Sequence, residues 1–265
     1  MRIVSWNVNS VRARLPLVEK FTAEYEPDIL CLQELKAQNS DVPVKKLSDM
    51  GYTIQFIHGM KGYNGMAILS RGPEITNRQI INHCDKDDRR HIAARVISDD
   101  HNYELHNVYV PAGGYEANPD LEPFAHKLSY VEELTRWFDD NRSSDDAMIM
   151  LGDLNIAPLE TDVWNHKRML KTVSHTPMET KRMEKLKESA NWIDAMRHII
   201  PPKEKLFTWW SYRAKDWRAS DRGRRLDHIW VTPPLKSHIK DINVLKPARD
   251  WERPSDHVPV ILDLK

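Results

Sequence analysis

Met1-Arg2-Ile3-Val4-Ser5-Trp6-Asn7 and Asp28-Ile29-Leu30-Cys31-Leu32-Gln33-Glu34 are the stretches whose reading decides the fold. Each is a short apolar run that reads as a strand and breaks on polar residues. Between them Leu15, Val18, Phe21 and Tyr25 recur at helical spacing, the mark of an amphipathic helix. Pro27 stops that helix, because the residue before a proline is pushed out of the helical region. Strand, helix, strand is the opening of an α/β layout.

The same grammar recurs along the chain. Ala147 to Leu151 is an apolar strand that delivers Gly152-Asp153-Leu154-Asn155. Leu226 to Val231 and Val258 to Leu264 are two more, flanked by Asp227 and by Ser255-Asp256-His257. Asn, Glu, Asp and His are poor strand residues. Their placement at several strand ends predicts that the ends converge on one polar site. Carboxylate and amide oxygens without a thiol cluster suit a hard cation such as Mg²⁺. A histidine in the same site suits acid/base or phosphate work. Asp153 and Asn155, two apart in an extended segment, would point the same way.

Elsewhere, residues 37–51 read as loop plus a short helix, and Tyr52 to His58 as a strand. Asn64-Gly65 is the pair favoured in a hairpin turn, with Met66 to Ser70 returning. Residues 75–83, 91–98 and 103–110 suggest a meander. Residues 124–142 read as helix, and 160–200 as mixed helix and loop. No linker, repeat or low-complexity tract divides the 265 residues. The expectation is an α/β protein, 1–265 forming a single domain, with two packed sheets and outer helices.

Hydrophobic residues make up 40% of the chain, enough for a substantial core. Lys and Arg number 39 and so do Asp and Glu, so any nucleic-acid-binding face must be local. Cys31 and Cys84 have neither metal spacing nor the look of a disulfide scaffold. No signal-peptide core and no membrane-length apolar stretch is visible. A cytoplasmic location is the expectation.

Taken in order, Ser5-Trp6-Asn7, Leu32-Gln33-Glu34-Leu35-Lys36, Gly62-Tyr63-Asn64-Gly65, Asn107-Val108-Tyr109-Val110-Pro111, Gly152-Asp153-Leu154-Asn155, Arg225-Leu226-Asp227 and Ser255-Asp256-His257 resemble the motifs of the exonuclease III-type AP endonucleases. These belong to the endonuclease/exonuclease/phosphatase superfamily. The resemblance implies a four-layer α/β sandwich, deoxyribonuclease I-like, with two mostly antiparallel sheets packed face to face. It implies a metal-dependent DNA repair nuclease that cuts 5′ to abasic sites and leaves a 3′-hydroxyl. Trimming of 3′ ends by exonuclease or 3′-phosphatase action would accompany this. Mg²⁺ is the implied cofactor, with Mn²⁺ as a substitute, and duplex DNA with abasic sites or 3′ ends the implied partner of a monomer.

The resemblance also assigns roles. Glu34 looks like the main metal ligand, and Asn7 like the residue that helps hold metal or phosphate. Asp153, Asn155 and His257 join the implied metal set, with Asp256 at the same or a second metal position. Tyr109, Asp153, Asn155, Asp227 and His257 form the implied catalytic set. In it Asp153 handles a proton, Asn155 orients, Asp227 orients His257, and His257 and Tyr109 contact the phosphate. Arg90 is a candidate for gripping DNA phosphate, and Lys127 resembles a helix lysine facing DNA. Trp209 and Leu226 match positions that line an abasic-sugar pocket. Arg224 departs from the family, which often has an apolar residue there.

Residues 203–225 hold eight basic and three acidic side chains, a net of +5, with Phe207, Trp209, Trp210, Tyr212 and Trp217 interleaved. Basic groups grip phosphates, and flat rings fill the gap of a missing base. Arg213 and Arg222 are the candidate backbone contacts, and at least two of the five rings are expected in the core. Within the superfamily, a phosphoesterase acting on inositol phosphates or phospholipids is the rival reading. A secreted deoxyribonuclease I-like enzyme and a non-catalytic DNA-binding relative are further alternatives.

Overall fold

The computed structural model describes residues 1–265. The first motif is β1 (Arg2–Asn7), α1 (Val11–Tyr25) and β2 (Ile29–Gln33). Ser10 Oγ caps α1 by accepting from Ala13 N, and Glu26 ends it in a left-handed turn. The chain continues through α2 (Val44–Asp49), β3 (Ile54–His58), β4 (Met66–Ser70), β5 (Glu74–Ile80), β6 (His91–Ile97) and β7 (Asn102–Tyr109). Next come α3 (Glu122–Asn141), β8 (Met148–Asp153), α4 (His166–Met169) and α5 (Pro177–Ser189). The last elements are β9 (Ile193–Asp194), α6 (Ala195–Ile199), α7 (Trp217–Ser220), β10 (Asp227–Val231), β11 (Ile239–Val244) and β12 (Val260–Leu264).

The strands form two six-stranded sheets, ordered β11-β12-β1-β2-β4-β3 and β5-β6-β7-β8-β10-β9. Each sheet has one parallel pair, β1–β2 and β7–β8; all other pairs are antiparallel. A parallel pair needs a crossover, and α1 and α3 provide the two. Alternation along the strands builds the layers. Ile3, Ile29, Cys31, Leu105, Ile149 and Ile229 meet between the sheets. Their neighbours Val4, Leu30 and Leu32 pack outward against Val18 and Phe21 of α1. Met148 and Met150 pack against Tyr130, Leu134 and Phe138 of α3. This is the expected four-layer sandwich.

Sequence and structure part at three strands. β11 was hidden because Lys240, Asp241 and Asn243 are polar residues of a sheet-edge strand, with an irregular register after Ile239. β9 is only two residues long. The strand expected over 75–83 stops at Ile80.

Beneath α3 lies a row of buried histidines. His83 Nε2 is 3.1 Å from His91 Nδ1, and His91 Nε2 is 3.0 Å from His106 Nδ1. Burial pushes all three rings down, His83 and His106 to about 4 and His91 well below its ordinary value. The unfolded chain therefore binds protons near pH 6.5 that the folded chain refuses. This stability is complete above pH 6.5 and drains as pH falls toward about 4. The slope is roughly 1.4 kcal/mol per pH unit per ring. Urea midpoints between pH 7 and 4.5 should fall accordingly, and less steeply in His106→Gln; equal slopes would show that these rings are not the cause.

Candidate active site

The strand ends that carry polar residues lie at one end of the sandwich because of register. Asn7 pairs with Gln33 across β1 and β2, Tyr109 with Asp153 across β7 and β8, and Asp227 with Asp153 across β10 and β8. Gly152 lets β8 run this close to β7. Its φ is +140°, and a Cβ there would lie 1.9 Å from the Val108 carbonyl oxygen. Asn9, Glu34 and Asn155 all adopt left-handed backbone, with φ of +46°, +54° and +52°. Non-glycine residues rarely do so, and such outliers cluster at functional sites.

One hydrogen-bonded network joins both sheets. Asn7 Nδ2 donates to Glu34 Oε1 and to Asp153 Oδ2, both at 2.9 Å. Tyr109 Oη donates to Glu34 Oε1 at 2.7 Å. His257 Nδ1 lies 2.8 Å from Asp227 Oδ2, and its Nε2 is 3.5 Å from Asp153 Oδ2. Ser255 Oγ donates to the Asn7 carbonyl and accepts from His257 N, which ties the histidine turn to the end of β1. Asp256 accepts from Asn9 Nδ2 and from Trp209 Nε1. Lys36 Nζ reaches Asn9 Oδ1 at 2.6 Å and Glu34 Oε2 at 2.7 Å. Asn9 and Lys36 were not singled out from sequence. Lys36 sits inside a quoted motif, and only the left-handed turns fold it back onto Glu34.

Charges are sorted accordingly. Burial opposes ionisation of Glu34, but Lys36 and donors from Asn7, Lys36 and Tyr109 hold its carboxyl below the ordinary value. Burial raises Asp153, with His257 pulling the other way and Asp227 and Glu34 adding to the rise. Burial also opposes a charged His257, yet Asp227 and Asp153 together raise it above a free imidazole. Burial and the nearby Glu34 keep the Tyr109 hydroxyl protonated. A proton acceptor and an imidazolium thus stand side by side, an arrangement suited to phosphoryl chemistry. Asp153, Asp227 and His257 bring potential metal-ligand atoms within 4.8 Å of one another.

The sequence matches the Endonuclease/Exonuclease/phosphatase family over residues 4–257. The chain belongs to the endonuclease/exonuclease/phosphatase family. It is 29% identical to exodeoxyribonuclease III of Haemophilus influenzae, with 100% of both chains covered. Its structure is similar to an AP endonuclease from Archaeoglobus fulgidus, with TM-score 0.92, 31% identity, and 100% and 99% of the two chains covered. It is also similar to the 3′ phosphatase NExo from Neisseria bound to product DNA hairpin, with TM-score 0.89, 32% identity and the same coverage. No helix is long and apolar enough to cross a membrane.

Around this network the other sequence candidates fall in different places. Trp209 is half-buried beside Asp256, and Leu226 is buried. Arg213 and Arg222 are exposed, stacked on Tyr115 and Trp164. Arg90 is mostly covered; its plane lies 4.8 Å over Tyr109 and Asp88 holds its charge. Phe207 and Trp210 are the two rings of the basic segment that enter the core.

Three expectations need correction. The segment after Asp153 is not extended: it turns at Asn155, whose N–H donates to Asp153 Oδ1 and whose Nδ2 donates to the Val110 carbonyl. Arg225 does not belong to a basic surface, because it is fully buried between Asp162 and Asp194. Lys127 does not face DNA either. It is fully buried, 2.5 Å from Glu179, and donates to the carbonyls of Asn155 and Ala112. Its ammonium therefore pins together the two loops that carry the ends of β7 and β8. Lys127→Met should leave the buried Glu179 carboxylate without its direct ion-pair partner, held only by hydrogen bonds from Ser174 and Thr176 and the more distant Arg224 charge, which costs about 3–5 kcal/mol. A loss of unfolding free energy under ~1 kcal/mol, measured by urea titration, would show that the pair is dispensable.

Proposed function

We propose that this chain is a metal-dependent DNA repair nuclease. It hydrolyses the phosphodiester 5′ to an abasic site, leaving a 3′-hydroxyl, and trims 3′ ends as exonuclease and 3′-phosphatase. The observation that carries this reading is the Asp227–His257 pair facing Asp153, with Glu34 on the opposite sheet joined to Asp153 through one Asn7 amide. The names of its relatives point to DNA, and the exposed Lys203, Lys205, Arg213, Lys215 and Arg222 supply a basic rim for a duplex. Two unpaired cysteines fit a reducing cytoplasm, where we propose that it acts as a monomer.

The donor set fits Mg²⁺, with Mn²⁺ as its substitute. Glu34 and Asp153 offer hard oxygens, and Asp227 Oδ1 is buried without a partner. One or two carboxylates plus substrate phosphate is the usual Mg²⁺ environment. Glu34 and Asp153 would hold the ion, with Asn7 aligning both and Asp256 and Asn155 beside them. The ion, when bound, supplies charge stabilisation of the phosphate oxygens and a more acidic water. Asp153 takes the proton of the attacking water. The His257 imidazolium, oriented by Asp227, and the Tyr109 hydroxyl steady the negative charge gathering on the phosphate.

Labelled duplexes with an internal abasic site, a 3′-phosphate or a 3′-hydroxyl, assayed with Mg²⁺ and with EDTA, test this directly. Glu34→Gln keeps the shape and removes the charge, so metal affinity and rate should fall together. Full activity in EDTA would remove the metal from the reaction.

A further inference from the structure

We propose that Arg224 sets the substrate preference of this site: stacked on Trp209, it recognises the phosphate monoester of a DNA 3′ end and narrows the space for an unpaired deoxyribose. The inference rests on the nuclease reading above.

Trp209 is fixed beside the chemistry on two sides. Its backbone bridges Arg224 and His257, and its Nε1 donates to Asp256 at 2.9 Å. The Arg224 guanidinium lies 5.1 Å over the same ring. Its Nη1 donates to the Val173 carbonyl at 3.1 Å and to Ser174 Oγ at 3.0 Å, which holds it against a segment fifty residues away. Arg224 Nε is buried without a partner. No carboxylate forms a direct ion pair with this half-buried cation: the one that bears on it, Glu179, is already held by Lys127, whereas its neighbour Arg225 is paired with Asp162 and Asp194. Two cations sharing one carboxylate leave a positive charge uncompensated in a partly buried place, which is costly, and a substrate anion would relieve that cost.

The substrate classes differ in charge. A terminal phosphate monoester carries more negative charge at neutral pH than an internal diester. A guanidinium therefore favours it through charge-assisted hydrogen bonds. An unpaired deoxyribose is uncharged, gains nothing from Arg224 and competes with it for the face of Trp209. On the monoester, water oxygen bonds to phosphorus, the P–O3′ bond breaks, and the water proton ends on the 3′ oxygen. The products are a 3′-hydroxyl and inorganic phosphate.

The test compares kcat/KM of the wild-type protein, Arg224→Met and Arg224→Lys with Mg²⁺ on duplexes ending in a 3′-phosphate or containing an internal abasic site. Arg224→Met should lower the phosphate-to-abasic ratio about tenfold or more, mainly through KM for the phosphate end. Arg224→Lys should keep most of the preference. A ratio unchanged in both variants, or equal losses on both substrates, overturns the proposal. If Arg224→Met melts early, Arg224→Gln takes its place, and inorganic phosphate should inhibit abasic cutting less in that variant than in the wild type. Equal inhibition overturns the proposal too. A wild-type protein that cuts neither duplex would overturn the nuclease reading itself.

Discussion

Asp153→Asn is expected to lower turnover by about 10²–10⁴-fold while duplex DNA still binds. The carboxylate has two jobs that the amide splits. Oδ1 accepts from Asn155 N and shapes the turn, which an amide oxygen can still do. Oδ2 accepts from Asn7 Nδ2 and faces His257 Nε2, where an amide nitrogen would set donor against donor. An amide also cannot take a proton from water. Burial raises the Asp153 carboxyl, which makes it a better base than a surface aspartate. Single-turnover cleavage and equilibrium binding, measured on the same duplex, separate the effects. Unchanged turnover would reduce Asp153 to a turn residue, and parallel losses of binding and rate would make it a binding residue.

His257→Ala should also lose about 10²-fold or more, and Asp227→Ala nearly as much, with the double variant little worse than either. The two side chains are buried and bonded at 2.8 Å, so removing either disables the same unit. The pH profile gives a sharper signature. Asp227 is a principal cause of the raised His257, so Asp227→Asn should let that ring lose its proton at lower pH. Its activity relative to wild type should then be higher near pH 6 than near pH 8. Independent, multiplicative losses and a flat relative profile would show that the two residues are not partners.

Much of this site was readable from one chain. Glu34, Asp153, Asp227 and His257 are uncommon residues at the ends of apolar runs, and strand endings are a local property. The α1 period and the helix over 124–142 were also legible, since an amphipathic stripe repeats within a dozen residues. β11 was not, because an edge strand with polar residues has no alternation to read.

Residue chemistry and fold class are set by the sequence itself: an α/β sandwich whose strand ends carry carboxylates, an amide and a histidine. Only the tertiary structure decided which charges remain free. Lys127, Arg224 and Arg225 are all basic residues near the site in sequence. Yet Lys127 is ion-paired with Glu179 and Arg225 with Asp162 and Asp194, while Arg224 beside Trp209 has no direct ion pair and feels only the carboxylate that Lys127 already holds. Their partners lie roughly 30–65 residues away, and a cation's role depends on the anion that the fold brings to it.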